Sequence, residues 1–211
     1  MYVPPLFAEN RLDVLHALIS QHPLASIVSM EEDGMTANHI PLIIAPPSTG
    51  APLGTLRGHV ARANPVWKNK DQLLLIFQGA SAYIRPGWYE EKMQTGAVVP
   101  TYDYAVVHGH GHLRIVDDHR EFYDLLTQLT DHFESKRKLP WSVSDAPRDF
   151  IDHLMGEIVG IEIPLTKLVG KWKANQDDST SNRSHIALQL REEKSPQAGV
   201  MADIIEARLF E

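Results

Sequence analysis

The chain has 211 residues, 43% hydrophobic and 22% charged, a balance that excludes a wholly disordered or fibrous chain. Its 20 basic and 27 acidic residues leave a formal charge of −7, which opposes a general affinity for phosphate backbones. The absence of cysteine excludes disulfides, thiolate zinc sites and thiol catalysis.

In chain order, Asn10 caps an expected helix with apolar positions Leu12, Leu15, Leu18 and Ile19, closed by Pro23. Leu24 to Met30 reads as a strand, Glu31-Glu32-Asp33-Gly34 as a hairpin turn, and Met35 to Ala45 as the returning strand, interrupted at Pro41. Pro46 to Pro52 is loop by composition. Leu53 to Val60 is a third strand, with a turn at Asn64-Pro65. The apolar run Leu73 to Phe77 reads as a strand buried on both faces, and Tyr83-Ile84 extends the sheet. Pro86 to Lys92 is an irregular, aromatic-rich excursion, and Val98 to Val116 is long and β-prone, with a bend expected at Gly109 or Gly111.

Asp118 and Glu121 then form a capping box for a helix with the stripe Phe122, Leu125, Leu126, Leu129 and Phe133. A second helical piece runs from Pro147 to Met155, and Gly156 to Pro164 is a last strand. Gln176 to Asn182 reads as polar and flexible, and Pro196 to Phe210 as an amphipathic helix using Val200, Ile204, Ile205 and Leu209. Six or seven strands in near succession, with helices inserted late, predict an antiparallel barrel with peripheral helices, mainly β within the α+β class. No apolar run approaches the roughly 20 residues that span a bilayer. Met1-Tyr2-Val3-Pro4-Pro5 lacks the regions of a signal peptide, so a soluble, cytoplasmic protein is expected.

Three places can carry chemistry. On a strand, Arg57, His59 and Ala61 share one face, with Arg62 on the other. Two arginines flanking a histidine can hold a phosphate, or serve as surface charge around a hydrogen-bonded imidazole. Tyr83, Trp88, Tyr89, Tyr102 and Tyr104 offer flat surfaces for a planar heterocycle, or a core patch with polar tips. His108, His110 and His112 align on one strand face, a spacing that chelates a metal or simply lines a strand; no metal is assigned. Neither G-x-G-x-x-G after a strand nor G-x-x-x-x-G-K-[ST] occurs, and neither a G-x-S-x-G elbow nor a basic recognition helix is present.

These residues converge on a family pattern. Met1-Tyr2-Val3-Pro4, Asn38-His39-Ile40-Pro41-Leu42 and Arg57-Gly58-His59-Val60-Ala61-Arg62-Ala63-Asn64-Pro65 are followed by Tyr83-Ile84, Pro86, Trp88-Tyr89 and Lys92. Val99-Pro100-Thr101, Tyr104, Val107-His108, Gly111 and Lys171-Trp172-Lys173 complete the set. In these blocks the chain resembles the PaiB-like proteins, labelled FMN-binding negative transcriptional regulators, of the FMN-binding split-barrel superfamily.

The resemblance implies a six-stranded antiparallel split barrel, a homodimer and a flavin pocket at the dimer interface. It implies a barrel over residues 1–170 with inserted helices, and a helical extension over 171–211 packed on it as one structural domain. The strand from Leu56 to Arg62 would lie against FMN or a similar phosphorylated heterocycle. Carried over residue by residue, the FMN contacts are Arg57, His59, Ala61, Arg62, Asn64, Trp88, Lys92, Thr101, Tyr102, Tyr104, Lys171, Lys173 and Gln176.

The chain departs from the pattern at Asp103, where the family reads Trp-Asn-Tyr, and at Asp177, which closes the family's Lys-x-Lys-x-Ser-Gln-Asn. Each aspartate replaces a donor-acceptor amide with an acceptor-only anion, which opposes a phosphate unless a cation compensates. The functional expectation is a regulator acting on gene expression indirectly, since charge and motifs give no support for direct DNA binding. The alternatives are a flavin-dependent oxidoreductase of the pyridoxamine-phosphate-oxidase-like group, and a haem- or metal-binding split barrel.

Overall fold

Alternating apolar residues build the strands, and their pairings are antiparallel throughout those whose register is defined. The structure is a computed structural model that describes residues 1–209. Its strands are β1 (Ala8–Glu9), β2 (Leu24–Glu31), β3 (Gly34–Pro41), β4 (Ile43–Ala45), β5 (Thr55–Ala61), β6 (Gln72–Ile84), β7 (Thr101–His112), β8 (Arg114–Val116) and β9 (Ile158–Lys173). Three of these strands have only two or three residues, leaving six long ones. The hydrogen-bonded order is β3-β2-β6-β7-β9-β5-β4, with β1 and β8 also on β9. The helices are α1 (Leu12–Gln21), α2 (Glu91–Gln94), α3 (His119–Glu134), α4 (Arg148–Gly156), α5 (Thr180–Glu192) and α6 (Pro196–Ala207).

Two compact units divide the chain. Unit 1 takes Met1–Leu15, Gln78–Val107 and the chain from Val169 onward; unit 2 takes His16–Phe77 and His108–Leu168. The long strands β6, β7 and β9 each contribute one end to each unit.

In unit 2, β2 and β3 close a hairpin through Glu32-Asp33, and Gly34 takes the positive φ of 116° that L side chains resist. The expected strand Met35 to Ala45 is two strands. Pro41 ends β3, and the chain then shifts to pair β4 with β5, because proline has no N–H to continue the ladder. The run Leu73 to Phe77 is buried on one face only: Leu73, Leu75 and Phe77 are inaccessible, whereas Leu74 and Ile76 are half-buried. It pairs antiparallel with β2, an arrangement that needs only one covered face.

Neither Gly109 nor Gly111 bends β7, which runs on to His112. A Cβ on Gly111 would meet Ile163 Cγ2 at 2.7 Å as well as the Pro164 carbonyl, so this glycine permits close strand approach. The N-cap of α3 is Asp118, which accepts from the Glu121 N–H at 2.8 Å. Phe122, Leu125 and Leu129 pack with Ile151 and Met155 of α4, while Phe133 turns outward, 41% exposed.

In unit 1, the last strand continues well beyond Pro164, to Lys173. The segment Gln176 to Asn182, read as flexible, instead leads into α5, whose N-cap Ser179 accepts from the Asn182 N–H. Ile186, Ala187 and Leu190 of α5 pack with Ala198, Met201, Ala202 and Ile205 of α6 against Ala80, Ala82, Ile84, Trp88 and Tyr89. The buried stripe of α6 is therefore displaced from the expected one: Val200 is exposed and Ile204 only half-buried. Phe210, placed in that helix by sequence, lies outside the described residues. Among the described residues no helix is long and apolar enough to cross a membrane.

Candidate functional site

The strand β5 presents its cations already engaged. Arg57 donates from Nε to Glu162 Oε1 at 2.6 Å and from Nη1 to Gln128 Oε1 at 3.0 Å. Arg62 donates from Nε to the Gly156 carbonyl at 2.6 Å and from Nη2 to the Ile158 carbonyl at 2.8 Å. Asn64 caps the 3-10 turn at Pro65–Lys68, accepting from the Val66 N–H and donating to Asn38 Oδ1 at 2.8 Å. Ala61 is exposed. His59 is half-buried, which pushes its pKa down, and its buried Nδ1 has no hydrogen-bond partner among the described residues.

In unit 1, alternation along β7 places Tyr102 and Tyr104 on one face and Thr101 and Asp103 on the other. On the tyrosine face, the Tyr83 and Tyr102 rings meet at 6.5 Å and are 50% and 55% exposed. Lys171 Nζ stands 5.1 Å from the Tyr104 ring centroid and 5.9 Å from that of Tyr2. Lys171 is only 9% exposed, and no carboxylate pairs with it among the described residues.

The lysine two residues on is differently placed. Lys173 Nζ donates to Thr101 Oγ1 at 2.5 Å, the Tyr102 carbonyl at 3.2 Å and Asp103 Oδ1 at 3.0 Å. An ammonium has three N–H donors, so all are used. Asp103 is inaccessible; burial pushes its pKa up to about 6, although Lys173 pulls the other way.

Lys173 and Thr101 border a cleft of about 430 Å³ in unit 1. Its other walls include the aliphatic Ala97, Val98 and Val99, and the polar Asn175, Asp177 and Asp178. Asn175 follows β9 at a φ of 54°, a left-handed position asparagine tolerates, and this turns its amide inward. Its Nδ2 donates to the Tyr89 hydroxyl at 2.8 Å and to Asp178 Oδ2 at 2.6 Å. Burial, with nearby carboxylates, pushes the Tyr89 phenol up to about 12, so it stays protonated.

Of the residues carried over by resemblance, unit 1 gathers Thr101, Tyr102, Tyr104, Lys171 and Lys173 around the ends of β7 and β9, with Thr101 on one face of β7 and the two tyrosines on the other. Arg57, His59, Ala61, Arg62 and Asn64 belong to unit 2. Trp88 is a core residue packed under α5 and α6, its carbonyl bonded to His185 Nδ1. Lys92 is an exposed residue of α2. Gln176 folds back on its own backbone, donating to the Trp172 carbonyl and accepting from the Ala174 N–H. Sequence reasoning missed Glu91, Asn175 and Asp178; the acidic pair after β9 was a visible signal, but nothing local brings α2 to it.

His108 and His110 are half-buried and His112 exposed; burial lowers the first two, with a further push from Lys167 on His110. Among the described residues no group of three or more His, Cys, Asp or Glu side chains is arranged to hold a metal ion.

Comparison with known proteins fits this architecture. The model of the family described as "Putative FMN-binding domain" matches residues 1–167. The chain belongs to this family. The chain is 25% identical over 212 residues to protease synthase and sporulation protein PAI 2 of Bacillus subtilis, covering 99% of this chain and 98% of that one. An uncharacterized protein of Emericella nidulans is 29% identical over 245 residues, covering 99% and 97%. Among solved structures, the FAD and haem binding protein from Mycobacterium smegmatis superposes with a TM-score of 0.59 at 14% identity, over 83% of this chain and 78% of that one. A flavocytochrome from Azotobacter vinelandii gives 0.56 at 11% identity, over 79% and 69%. At such identities the likeness is one of fold: α+β on an antiparallel sheet, of the FMN-binding split-barrel class.

Proposed function

We propose that this family member binds FMN at a homodimer interface and acts on gene expression indirectly. The observation that carries the reading is Lys171, a mostly buried cation with no carboxylate partner among the described residues, set over Tyr104 on a sheet face that also bears Tyr83 and Tyr102. A phosphomonoester needs a cation not already engaged, and a planar ring needs apolar faces; this face offers both. The Lys173 side of β7 does not fit a phosphate, since its one ammonium is saturated and carboxylates surround it.

When bound, FMN supplies a redox-active isoalloxazine ring. Lys171 would hold the phosphate charge, and Tyr102 and Tyr104 would cover part of the ring and keep water from it. Tyr83 and Tyr102, half exposed in one copy, are the surface that a second copy would cover. The regulatory part draws on the Bacillus relative, whose name is protease synthase and sporulation protein PAI 2. A net charge of −7 favours action through metabolism or a protein partner over a grip on DNA.

FMN titration followed by quenching of flavin fluorescence tests the reading. Saturable binding is expected, weakened at least about tenfold in Lys171→Met by loss of a charge-assisted contact. A chain that takes up no FMN, or a monomer by light scattering at micromolar concentration, overturns it. Tight, sequence-selective gel shifts at low salt would overturn the indirect mode of action.

A further inference from the structure

We propose that the cleft beside Thr101 and Lys173 in unit 1 binds a small organic cation, an aliphatic ammonium ion. Three carboxylates border it, those of Glu91, Asp177 and Asp178, and none is ion-paired among the described residues. Glu91 and Asp178 each accept one neutral amide hydrogen bond, from Asn182 and Asn175. Among the described residues the only cation in the wall is Lys173, which is neutralised by Asp103 and has no donor left. The space is therefore anionic in balance, and an anion is excluded from it.

Asn175 points independently to a donor. It is 3% exposed, it lines the cleft, and its Oδ1 has no hydrogen-bond partner among the described residues. Its amide orientation follows from Asp178, which when ionised only accepts and so faces Nδ2. A buried carbonyl oxygen without a donor costs about 1–3 kcal/mol, and an N–H donor from a ligand relieves that cost. Burial, together with repulsion from Asp177 and Glu91, raises the pKa of Asp178, as expected of a carboxylate that lacks its counter-ion.

The remaining wall selects an organic cation over a metal ion. Ala97, Val98 and Val99 present hydrocarbon to the space, which offers an alkyl chain an apolar surface to cover and a hydrated metal ion nothing. The volume, about 430 Å³, suits a ligand of several carbons. The flavin reading uses the tyrosine face of β7, so this inference stands or falls apart from it.

Isothermal titration calorimetry on the full chain at fixed ionic strength tests it with five probes: n-butylammonium, 1,4-diaminobutane, butan-1-ol, n-butyrate and magnesium chloride. Saturable one-to-one binding of the amines is expected, with no binding of butyrate and far weaker binding of the alcohol. Glu91→Gln combined with Asp177→Asn, both on accessible side chains, should weaken amine binding at least about tenfold while thermal melting stays unchanged. Asn175→Ala should weaken it further; if that variant does not fold, the double variant decides alone. Equal binding of amine and alcohol, equal binding of magnesium chloride, no amine binding, or an unchanged affinity in the folded double variant would each overturn the proposal.

Discussion

The two arginines of β5 in unit 2 and the two lysines that end β9 in unit 1 carry the same charge in very different surroundings. Arg57 and Arg62 are each held by two acceptors of their own unit, a carboxylate and an amide for one, two carbonyls for the other. Lys173 is saturated in the same way. Lys171 alone among the four meets only aromatic faces. A ligand can use a cation only where the fold has not already satisfied it, so the number of engaged donors separates a structural charge from a binding one better than its sign does.

If engagement is what distinguishes these charges, removing an engaged and buried one should hurt most. Glu9 is buried between Arg11 and Arg208; burial alone would raise its pKa, but hydrogen bonds from both arginines hold it at about 2. Glu9→Gln should lower stability by about 3 kcal/mol in urea denaturation. The stability Glu9 confers is fully present above its unfolded value of 4.5 and is lost as pH falls toward about 2.

Asp103 should behave with the opposite sign. Between 3.8 and about 6 the folded chain holds a proton there that the unfolded chain releases, so raising the pH through this window favours unfolding. The loss is on the order of 3 kcal/mol and levels off above the folded value. Urea denaturation at intervals from pH 4 to 8 should show this downward contribution in the native chain and not in Asp103→Asn. Equal pH slopes in the two would remove Asp103 from the picture.

Arg57→Met should cost about 1–2 kcal/mol, because Glu162 is largely shielded and keeps only a longer contact, 3.5 Å, to Arg114. It should leave FMN affinity unchanged, and a large loss of flavin binding would break the contrast between the two strands. The smallest effect is expected at Lys171. Lys171→Met keeps the apolar stem over Tyr104 and should shift stability by less than about 0.5 kcal/mol, although it weakens FMN binding.

Much of the sheet was legible from residue order. The hairpin at Glu32-Asp33, the N-cap at Asp118 and the stripe Phe122, Leu125, Leu129 follow from turn chemistry and helical periodicity, which act over a few residues. The helix α5 was not legible: its polar start resembles a loop, and its few apolar positions count only against a core supplied by β6 and α6. The early stop at Pro164 has a similar origin, since its missing N–H matters only where a neighbouring strand needs it.

By itself, then, the sequence determined the family, the antiparallel α+β class and most strands and caps, because these rest on local spacing and on ordered blocks of residues. Only the tertiary structure decided which charges are free. Whether a lysine or carboxylate is satisfied depends on partners far along the chain, such as Thr101 and Asp103 for Lys173 or Asn182 for Glu91, and hydrogen-bond saturation leaves no trace in residue order.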